Sequence, residues 1–219
     1  MPEPLTMVMV GAGSGSLLLG LARRQFRIAK RGLDIVGSLI GLIIFAPVMT
    51  ICGVMIKFSD PSSPVIYRQT RVGLYGRLIT IYKMRTMYAD AESHGKAIRA
   101  DRKDGRVIPI CRWMRRSHMD ELPQLFNILC GDMSLVGPRP ERPELTVELA
   151  QYLPDFEQRL SVKPGLTGLA QIKNGYDTDM DSIRRKLEYD LEYIRTMSLG
   201  LELRLLAQTL TKFNDDAAR

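Results

Sequence analysis

Cysteine, histidine and tryptophan are scarce in this chain of 219 residues, numbering three, two and one. Cys52, Cys111 and Cys130 contain no CxxC pair and have no histidine at ligand spacing, which excludes a structural zinc site and a disulfide framework. They read as reduced thiols of a cytosol-facing protein. Internal repeats and low-complexity linkers are also missing. With 45% hydrophobic and 25% charged residues, collagen-like and disordered readings fall away as well, leaving a chain near the upper size of one ordinary domain.

Residues 5–22 lack charge, and they lack the basic leader and small-residue cleavage site of a secretory signal. Their Gly and Ser content makes a weak membrane segment. The words VMVGAGSGS carry a serine where a dinucleotide-binding turn needs its third glycine, and no βαβ unit with a ribose-binding acid follows, so that motif is accidental. Residues 1–29 therefore read as a flexible or loosely membrane-associated leader.

Charge is missing altogether between Asp34 and Lys57. That stretch, IVGSLIGLIIFAPVMTICGVMI, would make a helix of roughly 33 Å, close to the thickness of a bilayer's hydrocarbon core. Two features speak against a straight span. Pro47, at its middle, removes a backbone hydrogen bond and should bend the helix. Basic residues flank both ends, Arg23, Arg24, Arg27, Lys30 and Arg31 before and Lys57, Arg68, Arg71 and Arg77 after, which assigns both ends to the cytoplasmic face. Residues 30–58 are thus expected to form a re-entrant hairpin kinked at Pro47.

The remainder, residues 59–219, reads as a cytoplasmic catalytic domain. VIYRQ and RLITIYKM alternate as short strands around a Gly73 to Gly76 turn, and residues 90–106 are a polar loop or helix. Helix is expected over 145–160 and, amphipathic and membrane-facing, over about 181–213. The fold class is α+β, mainly helical, in a monotopic membrane protein.

The net charge of +7 points to anionic partners: nucleic acid, anionic lipid or phosphorylated substrates. Asp120 and Glu121 follow Ser117, a candidate N-cap, with Pro123 placed in the first helical turn. A helix start favours an ionised carboxylate and offers N–H groups to phosphate, although acidic residues are common at such positions without any function. The surroundings sharpen the reading. Arg112, Arg115 and Arg116 lie just upstream, and Arg139 is held between Pro138 and Pro140 in a stiff turn. A preset guanidinium meets phosphate oxygens with little entropy loss. Carboxylates beside such arginines describe a site for Mg2+ and a diphosphate. His118 could move a proton or simply sit at a surface, His94 lies in the polar stretch, and Trp113 suits a core or interfacial position. Arg68, Arg71, Lys83 and Arg85 form a basic strand pair without aromatic stacking or a DNA-reading motif, so lipid headgroups fit them better than nucleic acid.

Taken together, KRGLDIVGSLIG, VIYRQTRVG, IYKMRTM, RRSHMDELPQLFNILCGDMSLVGPRPE and KPGLTGLAQ resemble the bacterial sugar transferase family, the monotopic phosphoglycosyl transferases, from about Lys30 to Leu210. The resemblance implies transfer of a sugar 1-phosphate from a nucleoside diphosphate sugar, usually a UDP-sugar, to a membrane polyprenyl phosphate. It implies Asp120 as nucleophile and metal ligand, Glu121 as its supporting metal ligand, and Mg2+ as cofactor. Arg115 and Arg139, with Lys83 and Arg85, would bind substrate; Pro47 would be the membrane kink. The implied setting is the cytoplasmic face of a bacterial inner membrane, with a homo-oligomer possible. Two departures stand out. Ala46 replaces the serine that some members carry before the kink proline, and AQIKNGYDT after Gly168 has no counterpart of one family arginine, with Lys173 the nearest substitute. A non-catalytic membrane adaptor is the alternative reading.

Overall fold

The computed structural model describes residues 11–88, 105–174 and 179–212; residues 90–104 of the polar stretch lie outside it. Helix α1 runs from Gly11 to Ser59 and stays helical through Pro47. Its Arg24–Ser59 portion is long and apolar enough to cross a membrane. The helix is two-faced. Leu33, Leu42, Phe45 and Met49 pack on the main core, while Cys52 and Ile56 enter a second core with Met84, Ile108, Cys111 and Met114. Val36, Ile40, Ile43, Ile44, Ile51 and Phe58 face outward on the other side. Small residues permit the close approach: a Cβ added to Gly37 would lie 2.6 Å from Leu135 Cδ1.

Polar ties fix the start of the packed segment. The buried Asp34 carboxylate accepts hydrogen bonds from Ser134 Oγ and the Leu135 N–H, both at 2.9 Å. Arg31 donates to the Ile128 and Leu129 carbonyls, covering the open end of a helix that needs acceptors filled. Lys30 donates to the Val136 carbonyl at 3.0 Å and pairs with the wholly buried Glu202. Two of the cations read from the sequence as a membrane flank therefore have partners inside the protein.

Strands β1 (Ile66–Val72) and β2 (Leu78–Met84) form an antiparallel hairpin in which Tyr67 faces Lys83 and Arg71 faces Ile79. Side chains alternate across a strand, so Tyr67, Gln69, Arg71, Ile79, Ile81 and Lys83 share one face. Helix α2 (Arg112–Arg116) and a 3-10 turn at Met119–Glu121 lead into α3, Gln124–Cys130. Asn127 of α3 locks onto the hairpin, donating to the Thr80 carbonyl at 2.7 Å and accepting from the Tyr82 N–H at 3.1 Å.

Strand β3 (Ser134–Val136) pairs in parallel with β4 (Gly165–Thr167), with Ser134 opposite Gly165. Helices α4 (Pro143–Tyr152), α5 (Leu169–Lys173), α6 (Met180–Thr196) and α7 (Leu199–Lys212) complete the fold. A mainly helical α+β class with a long apolar first helix is what the sequence led us to expect.

Three local expectations change. The helix expected over 145–160 stops at Tyr152, because Pro154 keeps Leu153 extended (φ −129°, ψ 93°), and a 3-10 segment, Phe156–Ser161, follows. The expected long terminal helix breaks at Met197, after which Ser198 Oγ accepts the Leu201 N–H and starts α7. Ser117 does not start the helix after the acidic pair. It closes α2, donating to the Trp113 carbonyl at 2.9 Å.

Candidate active site

The acidic pair occupies the 3-10 turn ahead of α3 rather than the first turn of a helix. His118 precedes it with φ +54°, a left-handed conformation that non-glycine residues adopt at a cost of roughly 1 kcal/mol or more. That bend separates α2 from the turn. His118 itself is exposed, as is Trp113.

Glu121 is buried at 7% exposure and held from two sides. Arg139 grips it with both terminal nitrogens, Nη1 donating to Oε2 at 3.0 Å and Nη2 to Oε1. Lys83 Nζ donates to Oε1 at 2.8 Å from the inner face of the hairpin. Burial alone would raise the pKa of Glu121, but Arg139 and Lys83 outweigh it and hold the carboxyl well below its ordinary range. The same pairing raises Arg139 above its usual value, whereas burial lowers Lys83 despite Glu121 beside it.

Asp120 behaves differently. Burial and then the neighbouring Glu121 charge push it up to about 6, with Lys83, Arg115 and Arg139 drawing it back. Among the described residues it makes no hydrogen bond or ion pair of its own. One carboxylate is thus locked by cations and the other stands beside those cations unbound, with a raised pKa typical of reactive positions.

Arg139 reaches Glu121 because its turn is pinned from behind. The carbonyls of Pro138, Arg139, Pro140 and Glu141 accept from the Gly165 N–H, Arg159 Nη2, Arg71 Nη1 and the Val72 N–H, at 2.9, 2.9, 3.0 and 2.9 Å. Gly137 and Gly165 have to be glycines here, since a Cβ on Gly165 would collide with the Gly137 backbone nitrogen. A buried cluster stands behind the turn: Glu141 pairs with Lys186 at 2.7 Å and Arg159 at 3.5 Å, and Arg159 pairs with Asp190 at 2.7 Å. Burial would raise Glu141, but Lys186, Arg159 and Arg71 bring it down to about 2.

The structure therefore assembles Asp120, Glu121, Lys83 and Arg139, and Arg115 lies near enough to act on Asp120. Arg85 stands apart; its Nε donates to the Pro64 carbonyl at 2.8 Å. Lys173 pairs with Glu192 at 3.4 Å on the exposed side of α6. Arg71, Glu141, Arg159 and Asp190 did not figure as site residues in the sequence reading. Register could have found Arg71, which shares a hairpin face with Lys83.

Mg2+ prefers one or two carboxylates plus phosphate oxygens. The donor set suits Asp120 in that role, while both Glu121 oxygens are already taken by cations that would repel a metal. No cluster of three or more acidic, histidine or cysteine ligands occurs among the described residues, so phosphate oxygens would have to complete any coordination.

The chain is similar in sequence to known bacterial phosphotransferases. It is 40% identical over 181 residues to a UDP-N-acetylgalactosamine-undecaprenyl-phosphate N-acetylgalactosaminephosphotransferase of Aeromonas hydrophila, covering 83% of this chain and 42% of that relative. An undecaprenyl-phosphate glucose phosphotransferase of Komagataeibacter xylinus is 39% identical over 188 residues, 84% of this chain and 35% of the relative. A UDP-glucose:undecaprenyl-phosphate glucose-1-phosphate transferase of Caulobacter vibrioides is 38% identical over 192 residues, 87% of this chain and 71% of the relative. The chain spans less than half the length of the first two. A family profile described as bacterial sugar transferase matches residues 25–215, and with that match covering most of its length the chain belongs to the bacterial sugar transferase family.

Proposed function

We propose that this protein moves a sugar 1-phosphate from a UDP-sugar to a polyprenyl phosphate, undecaprenyl phosphate by analogy with the names of its relatives, and so starts a surface glycan. One observation carries the reading: Asp120 is the carboxylate that Arg139 and Lys83 leave unbound, while those two cations stand beside it on Glu121. A phosphoryl group arriving there meets a nucleophile and two donors at once.

In the first half-reaction a carboxylate oxygen of Asp120 attacks the sugar-bearing phosphorus. The bond from that phosphorus to the bridging oxygen breaks, and UMP leaves with the electron pair. In the second, a phosphate oxygen of the lipid attacks the same phosphorus and the acyl phosphate bond to Asp120 breaks, which yields a lipid diphosphate sugar and the free carboxylate. Splitting the transfer lets one small site serve a water-soluble donor and a membrane acceptor in turn.

Asp120 must be ionised to attack, so the reaction should gain rate as pH rises through about 6. Glu121 keeps Lys83 and Arg139 oriented, and Arg139 takes the transferring phosphate through the N–H groups it does not turn onto Glu121. Asp120 would hold Mg2+ together with substrate phosphates; that ion would offset diphosphate charge. The outward apolar face of α1 supports membrane insertion, and the re-entrant course bent at Pro47 with the catalytic part on the cytoplasmic side is the topology we propose.

The test is the donor half-reaction of Asp120→Asn, whose amide cannot attack phosphorus. Abolished UMP release supports the nucleophile; full release contradicts it.

A further inference from the structure

Behind the Pro138–Pro140 turn, Arg159 is 3% exposed and Asp190 2%, and neither makes a hydrogen bond or ion pair with Asp120 or Glu121. Arg159 directs Nε and Nη2 onto one oxygen of Asp190, at 3.1 and 2.7 Å, and the same Nη2 onto the Arg139 carbonyl at 2.9 Å. Its Nη1 lies 3.5 Å from Glu141 Oε1. Arg71 holds the next carbonyl, that of Pro140. Opposite ends of residue 139 are therefore fixed by unrelated elements. The backbone is tied to the 3-10 segment and α6, and the guanidinium is tied to Glu121.

We propose that Arg159 and Asp190 are positioning residues for the transfer reaction: a buried charge pair that sets the direction of Arg139 through its carbonyl and never touches substrate. The proposal rests on the phosphate-binding role of Arg139 given above. Burying two charges without functional return is unfavourable, since a well-packed apolar pair of similar size is often as stable or more so. Simple stability would be met by an apolar residue at position 190, on a helix whose other buried members are Ile183, Leu187 and Tyr193 besides the capping Ser182. A fork-shaped cation suits the observed task because it can hold a carboxylate and a carbonyl in one plane.

A double-substitution cycle on the full-length protein in detergent distinguishes this from a structural role. Asp190→Asn keeps the shape of the side chain and removes its charge, loosening Arg159. In the otherwise native protein it should lower kcat for UMP release about 10- to 100-fold, the scale of a small misplacement in an active site. In an Arg139→Lys background, where the aligned fork is already lost, the same change should cost less than about threefold. The dissociation constant of UDP, measured calorimetrically on the same four proteins, gives the cycle a second readout if the double variant turns over too slowly. Non-additive losses in either readout support the proposal. Equal losses in both backgrounds, or no loss in the native background, overturn it. An Arg139→Lys variant with unchanged activity and UDP binding would instead remove the phosphate-binding role on which the proposal rests.

Discussion

Arg139 and Glu121 meet in a two-point contact, with each terminal nitrogen of the arginine on its own carboxylate oxygen, and Lys83 closes on Oε1 from the other side. Glu121 is consequently an anion with three donors on it, and the residue before it is the one exposed to change. Removing the Glu121 charge by Glu121→Gln leaves two cations without their counter-charge. The cost should be about 2 to 3 kcal/mol of folding stability, below the full buried value because the Arg139 side chain keeps part of its surface in water. Denaturant unfolding in detergent measures it.

The same substitution should shift the acid limb of the rate profile. Glu121 is one of the groups that raise Asp120, while Lys83 and Arg139 lower it. Without the Glu121 charge, Asp120 should ionise at lower pH, and the half-maximal pH of UMP release should fall below that of the native protein. An unmoved limb would mean that another group controls it.

Asp120 also links pH to stability. Its folded value of about 6 lies above the ordinary 3.8, so the native protein loses stability as pH rises between the two. Asp120→Asn carries no such loss. The variant should be more stable than the native protein by about 1 to 3 kcal/mol at pH 8, with the advantage gone at about pH 4. Thermal unfolding at the two pH values checks the sign.

Lys30 offers a third test, of helix α1 against the body. Glu202 is wholly buried and is shared between Lys30 and the Tyr193 hydroxyl, the latter at 2.6 Å. Lys30→Met should cost about 3 kcal/mol or more by leaving that carboxylate without its cation, and adding Glu202→Gln should recover part of the loss. A lysine serving only as a topology signal would affect orientation and leave unfolding unchanged.

Close backbone approach gives a fourth. Gly165→Ala drives a Cβ into the Gly137 backbone, which cannot rotate away, and should destabilise by about 3 kcal/mol or more. Gly200→Ala, with open space around it inside α7, should be neutral or gain up to about 1 kcal/mol. Comparing the two melts separates a steric demand from mere loss of glycine.

The hairpin and the acidic pair were legible because each rests on local signals, alternation for β1 and β2 and a motif for Asp120 and Glu121. The boundaries at Leu153 and Met197 were not read, although Pro154 signalled the first. Lys83 and Arg139 stand 38 and 18 residues from Glu121, and no periodicity encodes that meeting. Asp190 left a trace: an acid on the same buried stripe as Ile183 and Leu187 needs a partner. Which partner was a matter of tertiary packing, as was the internal use of Lys30 and Arg31, whose charge alone matched a membrane flank equally well.

The account turns on a covalent bond to Asp120. Purified protein should be mixed with UDP-sugar and Mg2+ in the absence of lipid acceptor, quenched in acid, digested, and the peptide containing Asp120 weighed by mass spectrometry across a panel of donor sugars. For the donor that supports UMP release, the peptide should gain the mass of one sugar phosphate on Asp120 and lose it when polyprenyl phosphate is added before the quench. UMP release by a protein whose Asp120 peptide stays unmodified at every time point, from milliseconds to minutes, would contradict the account.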